Sequence, residues 1–184
     1  MRMIQKELHK QLRTEAIASR ERIAQILKPL NEAQLNEHPE AAGWSIAQVL
    51  EHLILGDELY EAPFAALLRG ARPDAGAPAR EWKSSFIGGM IAGAILKPKP
   101  MKAPKVFDPG PTPRHGAAQA FLGGEMSFVK SMDDAVNYDW RALRVGSPAL
   151  PKWMPKMNLG DGFRIHVVHV TRHSGQIERL AKKL

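Results

Sequence analysis

Cysteine is absent from the 184 residues, and this absence excludes several kinds of site. Disulfide bonds and thiolate metal sites cannot form, so a bound metal must be held by His, Asp, Glu or water. A reducing cytoplasm is the expected setting. Long apolar runs are also lacking, since the longest, residues 86–96, would extend only about 16 Å as a helix, roughly half of a bilayer core. The charged N-terminus has no apolar segment typical of a signal peptide, so we expect no membrane association.

Basic residues outnumber acidic ones, and the formal net charge is +7. Such a charge raises nucleic acid or an anionic membrane as a partner. The densest basic stretch, KPKPMKAPK at residues 97–105, is rich in proline and therefore favours an extended loop over a recognition helix. No groove-reading motif accompanies the charge, so a solvated basic surface is the favoured interpretation and nucleic acid is not the expected partner.

Four segments have the three-four spacing of apolar residues that is typical of amphipathic helices. They cover residues 4–28, 46 to at least 60, 113–136 and 162–182. Ser45 and Gln48 form a capping box before the second segment. Thr112, followed by Pro113, is predicted to cap the third segment, and Asp161 the fourth.

Two long connections separate these segments. Residues 70–112 contain seven prolines, and residues 137–159 contain three more. Within the first connection, residues 84–96 could form a short helix that folds over another part of the protein. Pro63 is expected to kink or end the second helix. No internal repeat and no convincing strand is visible. The sequence therefore predicts an all-α fold, a four-helix bundle with two long connections, as one domain over residues 1–184.

The last helix carries a concentration of histidine. His166, His169 and His173 are three of the seven histidines, and their spacings place them within roughly 60° of one another on a helical wheel. Val170 and Ile177 share this arc, so the three imidazoles face the core. A buried imidazole needs hydrogen bonds or a metal at its ring nitrogens. Three on one stripe favour a metal, because bundle interiors recurrently build metal sites from facing side chains.

His52 is the inward-facing histidine of the second helix. The charged side opposite it comprises Glu51, Asp57, Glu58 and Glu61. His169 and His173 have the i, i+4 spacing that lets two imidazoles chelate one ion. His52 on a facing helix would complete a three-histidine set.

Two motifs resemble the signature regions of a known family. WSIAQVLEHL near residue 50 and the C-terminal pattern H-x-x-R-H-x-G-Q-I are similar to those of the DinB/YfiT-like superfamily, in the same order and at a fitting separation. The resemblance implies a homodimeric four-helix bundle that holds a divalent metal through His52, His169 and His173. Many members have H-x-x-H-H-R-G-Q in the second motif. Arg172 and Ser174 depart from that pattern and leave the ligand positions intact.

Further residues are candidates for lining or orienting the site. His166, one turn before His169, is predicted to line the pocket and not to bind the ion, because a catalytic site keeps a coordination position open. Gln48 and Gln176 are spaced either to orient an imidazole or simply to pack within their helices. Glu125 interrupts the apolar stripe of the third helix, where a carboxylate needs a partner. It is a candidate ligand, general base or member of an ion pair.

Three nitrogens with an open position are typical of Zn²⁺, with Ni²⁺, Co²⁺, Fe²⁺ and Mn²⁺ as rivals. Such an ion can acidify water for hydrolysis or present a thiolate for transfer. The resemblance includes transferases and isomerases that use a low-molecular-weight thiol. We therefore expect a metal-dependent hydrolase or thiol transferase, with Arg172 and the basic loop attracting an anionic small molecule. The alternative is a non-catalytic metal-binding bundle that binds nucleic acid or a partner protein through its basic face.

Overall fold

Helices dominate the computed structural model, which describes residues 1–39, 43–97 and 102–184. The predicted helical class is confirmed. The helices are α1 (Gln5–Leu27), α2 (Glu32–Asn36), α3 (Ile46–Gly70), α4 (Phe86–Ile95), α5 (Ala117–Asp134) and α6 (Leu159–Ala181). In the described part of the chain, no helix is long and apolar enough to cross a membrane.

Two small antiparallel sheets correct the prediction that the chain has no strands. The strands are β1 (Arg2–Ile4), β2 (Glu81–Lys83), β3 (Arg144–Val145) and β4 (Met157–Asn158). β1 pairs with β2, and β3 pairs with β4. Each strand has only two or three residues, which is too short for alternation of polar and apolar residues to reveal it.

The four long helices pack on one another through their apolar stripes. α1 contacts α5 and α6, and α3 contacts the same two helices. Two groups of buried side chains fill the space between them. One group contains the fully buried Trp82, Trp140 and Phe163. The other lies around Leu50 and Phe121. Each predicted stripe therefore faces the interior.

Helix α3 begins where the sequence predicts. The Ser45 side chain accepts a hydrogen bond from the backbone N–H of Gln48, and the Gln48 side chain accepts one from the backbone N–H of Ser45. This arrangement satisfies two N–H groups at the helix terminus. Pro63 does not end the helix, which continues to Gly70.

The starts of α5 and α6 differ from the prediction. Gly116 caps α5 with a left-handed φ of 70°, a conformation that favours glycine, so Thr112 and Pro113 lie in the preceding connection. Asn158 caps α6 through its side chain, one turn before the predicted Asp161. Capping signals three or four residues apart cannot be ranked from sequence, because each is adequate by itself.

Helix α4 forms within the long first connection and packs on α6. Buried Asp161 accepts hydrogen bonds from the Ser84 hydroxyl at 2.5 Å and the Ser85 backbone N–H at 2.8 Å. A side chain at Gly88 would overlap Asp161, so only glycine permits this approach. The predicted short helix thus covers the C-terminal helix. Residues 98–101 of the basic stretch lie outside the described residues.

Candidate metal centre

Three histidines from two helices converge at one point. His52 lies on α3, and His169 and His173 lie one turn apart on α6. The His169 Nε2 atom is 3.0 Å from Nε2 of His52 and 3.1 Å from Nε2 of His173. One ligand nitrogen from each ring lies within 4.8 Å of the others, as a shared ion would require. The structure thus brings together the three residues that the sequence singled out.

Hydrogen bonds on the far side of two rings fix which nitrogen carries the proton. The His52 Nδ1 atom is 2.7 Å from the carbonyl oxygen of Phe107, which can only accept, so Nδ1–H must donate. The His173 Nδ1–H likewise donates to Gln176 Oε1 at 2.8 Å. Both neutral rings therefore present an unprotonated Nε2 lone pair to the centre. His169 Nε2 has at most one proton to offer these two lone pairs.

Burial keeps all three rings neutral. It lowers the pKa of His52, although the Phe107 carbonyl opposes the shift. It lowers the pKa of His173 to about 4, and nearby His52 adds to the effect. Burial and the neighbouring imidazoles hold the pKa of His169 well below its usual range. Neutral imidazole is the form that binds a metal, so the cluster is ready to act as a ligand near pH 7.

The donor set fits a divalent ion of the borderline class. Three imidazole nitrogens suit Zn²⁺, Ni²⁺, Co²⁺ or Fe²⁺ better than ions that prefer oxygen. Gln176 and the Phe107 carbonyl supply the outer hydrogen bonds that usually orient metal-binding imidazoles. A protonated ring would repel a cation, and burial disfavours that form here. Lone-pair direction and charge state therefore both favour an ion at this position.

His166 does not join the three-histidine cluster. Its Nδ1–H donates to Asp57 Oδ1 and its Nε2–H to Glu125 Oε1, each at 2.9 Å. Burial disfavours the charged ring, but the carboxylates of Glu125 and Asp57 outweigh it and raise the pKa of His166 to about 10. The ring also stacks on Phe128, with centroids 3.6 Å apart. Glu125, which needed a partner in the apolar stripe, thus finds it in His166.

Gln48 and Arg172 contact backbone groups of the long connection. Gln48 Nε2 donates to the Gly110 carbonyl at 2.7 Å, while its oxygen takes part in the α3 cap. Arg172 donates to the carbonyls of Ile95 at 2.6 Å and Lys97 at 2.5 Å. Both side chains therefore tie the connection to the helices that carry the histidines.

Two acidic residues of the site were missed from sequence, because α3 was divided into an apolar and a charged side. Asp57 contacts His166, and Glu51 is only 8 % exposed. Glu51 accepts hydrogen bonds from Nε of Arg114 at 2.8 Å and from Nη2 at 3.0 Å. Arg114 also binds Glu58, and these hydrogen bonds lower the pKa of Glu58. The pairing of Glu51 with Arg114, which lies just before α5, explains the burial of this carboxylate and could not be read from the pattern of α3 alone.

One cavity of about 1770 Å³ adjoins both clusters. Its lining includes His52, His169 and His173, together with Asp57 and His166. The described part of the long connection contributes a wall that includes α4 and the 3₁₀ turn Lys105–Phe107. The cavity is large enough for a drug-sized molecule.

Comparison with known proteins identifies the family. The family model of the DinB superfamily matches residues 15–177, which include all the histidines of both clusters. No curated protein and no solved structure matched the chain significantly. A match over most of the length shows the family, and the expected resemblance is confirmed. The chain belongs to the DinB superfamily.

Proposed function

We propose that this protein is a divalent-metal-dependent enzyme that acts on a small molecule, with His52, His169 and His173 as the metal ligands. One observation carries the proposal. The outer hydrogen bonds of His52 and His173 leave two Nε2 lone pairs directed at the Nε2 atom of the third ring. Three neutral imidazoles cannot satisfy one another in this arrangement, whereas a cation satisfies them all. Zn²⁺ is the first candidate, with Ni²⁺, Co²⁺, Fe²⁺ and Mn²⁺ as rivals.

The surrounding residues support chemistry at this position. A bound divalent ion supplies a Lewis acid for either hydrolysis or transfer of a low-molecular-weight thiol. Phe107 and Gln176 orient the imidazoles, and the adjoining cavity accommodates the reacting molecule. Lys97 and Lys102 also line this cavity, which favours a substrate that carries negative charge.

The proposal includes an organisation expected for the family. The four long helices would form a four-helix bundle, and residues 1–184 would make one domain. Support comes from the contacts of α1 and α3 with α5 and α6. We propose a homodimer in the cytoplasm as the working state, which size-exclusion chromatography with light scattering can test.

Elemental analysis of the purified protein tests the metal centre. We expect one equivalent of divalent metal that is lost in His169→Ala, and a melting temperature that rises on addition of Zn²⁺ to wild type but not to His169→Ala. His115→Ala is the matched control, because this histidine is exposed and remote from the cluster in sequence. Equal metal content in His169→Ala and wild type would refute the ligand assignment.

Substrate screens then separate the two reaction classes. Assays with ester, amide and phosphoester probes test hydrolysis, and conjugation assays with several small thiols test transfer. Activity that requires a thiol and disappears in His169→Ala would establish transfer. A metal-loaded protein that is inactive in both screens would contradict the enzymatic part of the proposal.

A further inference from the structure

A second cluster lies where α3, α5 and α6 meet. Asp57 comes from α3, Glu125 from α5 and His166 from α6. The imidazole lies between the two carboxylates, with both nitrogen–oxygen distances at 2.9 Å. Three helices that are far apart in sequence thus deliver three potential ligands to one point.

Both carboxylates retain an oxygen that the protein does not satisfy. Asp57 Oδ2 and Glu125 Oε2 are buried and have no hydrogen-bond partner among the residues that the structure describes. The Glu125 side chain is only 1 % exposed. An unsatisfied buried carboxylate oxygen is costly, and such atoms are rare in folded proteins. The two oxygens therefore indicate a bound ligand, because no side chain in the described part of the protein satisfies them.

The charges of the cluster do not balance. Even a fully protonated His166 contributes one positive charge against the two negative charges of Asp57 and Glu125. The Glu125 carboxylate is too deeply buried for water to screen that surplus. A neutral imidazole with two carboxylates would instead match the charge of a divalent cation.

We propose that Asp57, Glu125 and His166 form a second divalent-cation site, separate from the three-histidine centre. One ligand atom from each residue lies within 4.8 Å of the others, so a single ion can contact all three once the imidazole ring turns to direct one nitrogen at the point that the two carboxylates share. On binding, the cation replaces the proton on that imidazole nitrogen, and the proton leaves to solvent. Two oxygens and one nitrogen form a harder donor set than three nitrogens and suit Mn²⁺ or Mg²⁺ better.

The two sites are neighbours along the same pair of helices. His166 and His169 are separated by a rise of roughly 4.5 Å on α6, and His52 and Asp57 by roughly 7.5 Å on α3, at 1.5 Å per residue. No residue is shared between the clusters, yet five of their six members line the same cavity. A molecule in that cavity can therefore contact two cations, one that prefers nitrogen ligands and one that prefers oxygen ligands.

Manganese titration followed by electron paramagnetic resonance tests the proposal, because free Mn²⁺ gives a signal that diminishes on binding. The protein is first loaded with one equivalent of Zn²⁺. We expect wild type to bind one Mn²⁺ per chain, and Glu125→Gln and Asp57→Asn to lose at least about tenfold in affinity. Glu61→Gln is the matched control, since Glu61 is exposed and lines the same cavity.

His169→Ala separates this site from the three-histidine centre. If the proposal holds, this variant loses Zn²⁺ and still binds Mn²⁺ with unchanged affinity. Circular dichroism verifies that each variant folds. If Glu125→Gln does not fold, the Mn²⁺ affinity of Asp57→Asn alone tests the site. Wild type that binds no Mn²⁺, or binds it no better than the folded carboxylate variants, would overturn the second site. Loss of Mn²⁺ binding in His169→Ala would show that the second site is not separate from the three-histidine centre.

Discussion

Replacing Gln176 by leucine tests whether the outer hydrogen bonds prepare the histidines for metal binding. Gln176 Oε1 accepts the Nδ1–H of His173 at 2.8 Å and holds that ring with its Nε2 lone pair directed inward. Leucine removes the acceptor and keeps a similar volume. His173 then becomes free to take the other tautomer, in which Nε2 carries the proton and cannot bind an ion.

The expected magnitude follows from two contributions. A neutral hydrogen bond at a partly exposed position is worth about 1 kcal/mol, which limits the loss of stability in the metal-free protein. For metal binding, the loss of an outer partner of a ligating histidine typically costs 10–100-fold in affinity, or about 1.4–2.8 kcal/mol. Gln176→Leu should therefore reduce Zn²⁺ affinity more than it reduces the stability of the fold.

Competition with a chromogenic chelator measures the Zn²⁺ affinity, and urea unfolding with excess chelator measures the metal-free stability. Gln119→Leu makes the same chemical change at an exposed position of α5 and should leave both quantities unchanged. An affinity of Gln176→Leu equal to that of wild type would refute the reasoning. Equal losses of affinity and stability would show instead that Gln176 merely supports the helix.

Two other predictions concern buried Trp82 and partly buried Tyr60. Trp82→Phe removes a buried hydrogen bond to Asn158 Oδ1 at 2.9 Å and leaves a small cavity. The free energy of unfolding, measured by urea titration, should therefore fall by about 2 kcal/mol. Trp153→Phe is the control and should have no effect, because Trp153 is exposed. Burial raises the pKa of Tyr60, and the hydrogen bond to Ser147 opposes this shift. Because tyrosinate is disfavoured in the fold, stability should decline as pH rises above about 10, and Tyr60→Phe should remove the late step of a spectrophotometric titration.

Much of the site could be predicted because helical periodicity is a strong signal. An i, i+4 pair such as His169 and His173 must share a helix face, and the apolar neighbours of that face direct it inward. His52 follows a capping box that sets the helix register within one residue. The four long helices were predictable for the same reason, whereas the family was predicted from the resemblance of two motifs.

Asp57 of the second cluster was harder to predict than Glu125, because a helical wheel assigns one environment to a whole side of a helix. Asp57 lies among glutamates on the charged side of α3, yet it reaches His166 on a neighbouring helix. The polar side of α3 is therefore partly an inner surface. Only the packing of α5 and α6 against α3 reveals this, and packing is a property of the whole chain.

The long connection explains why the three-histidine centre could not be completed from side chains alone. Its contribution to His52 is the carbonyl oxygen of Phe107, and its contribution to Gln48 is the carbonyl oxygen of Gly110. Every residue type provides a backbone carbonyl, so the sequence does not indicate either contact. The connection nevertheless determines the tautomer of His52, because a carbonyl oxygen accepts a hydrogen bond and cannot donate one. The long connection has no helical periodicity in its sequence. It nevertheless determines which nitrogen of His52 can bind an ion, although helical periodicity alone identifies His52 as an inward-facing residue.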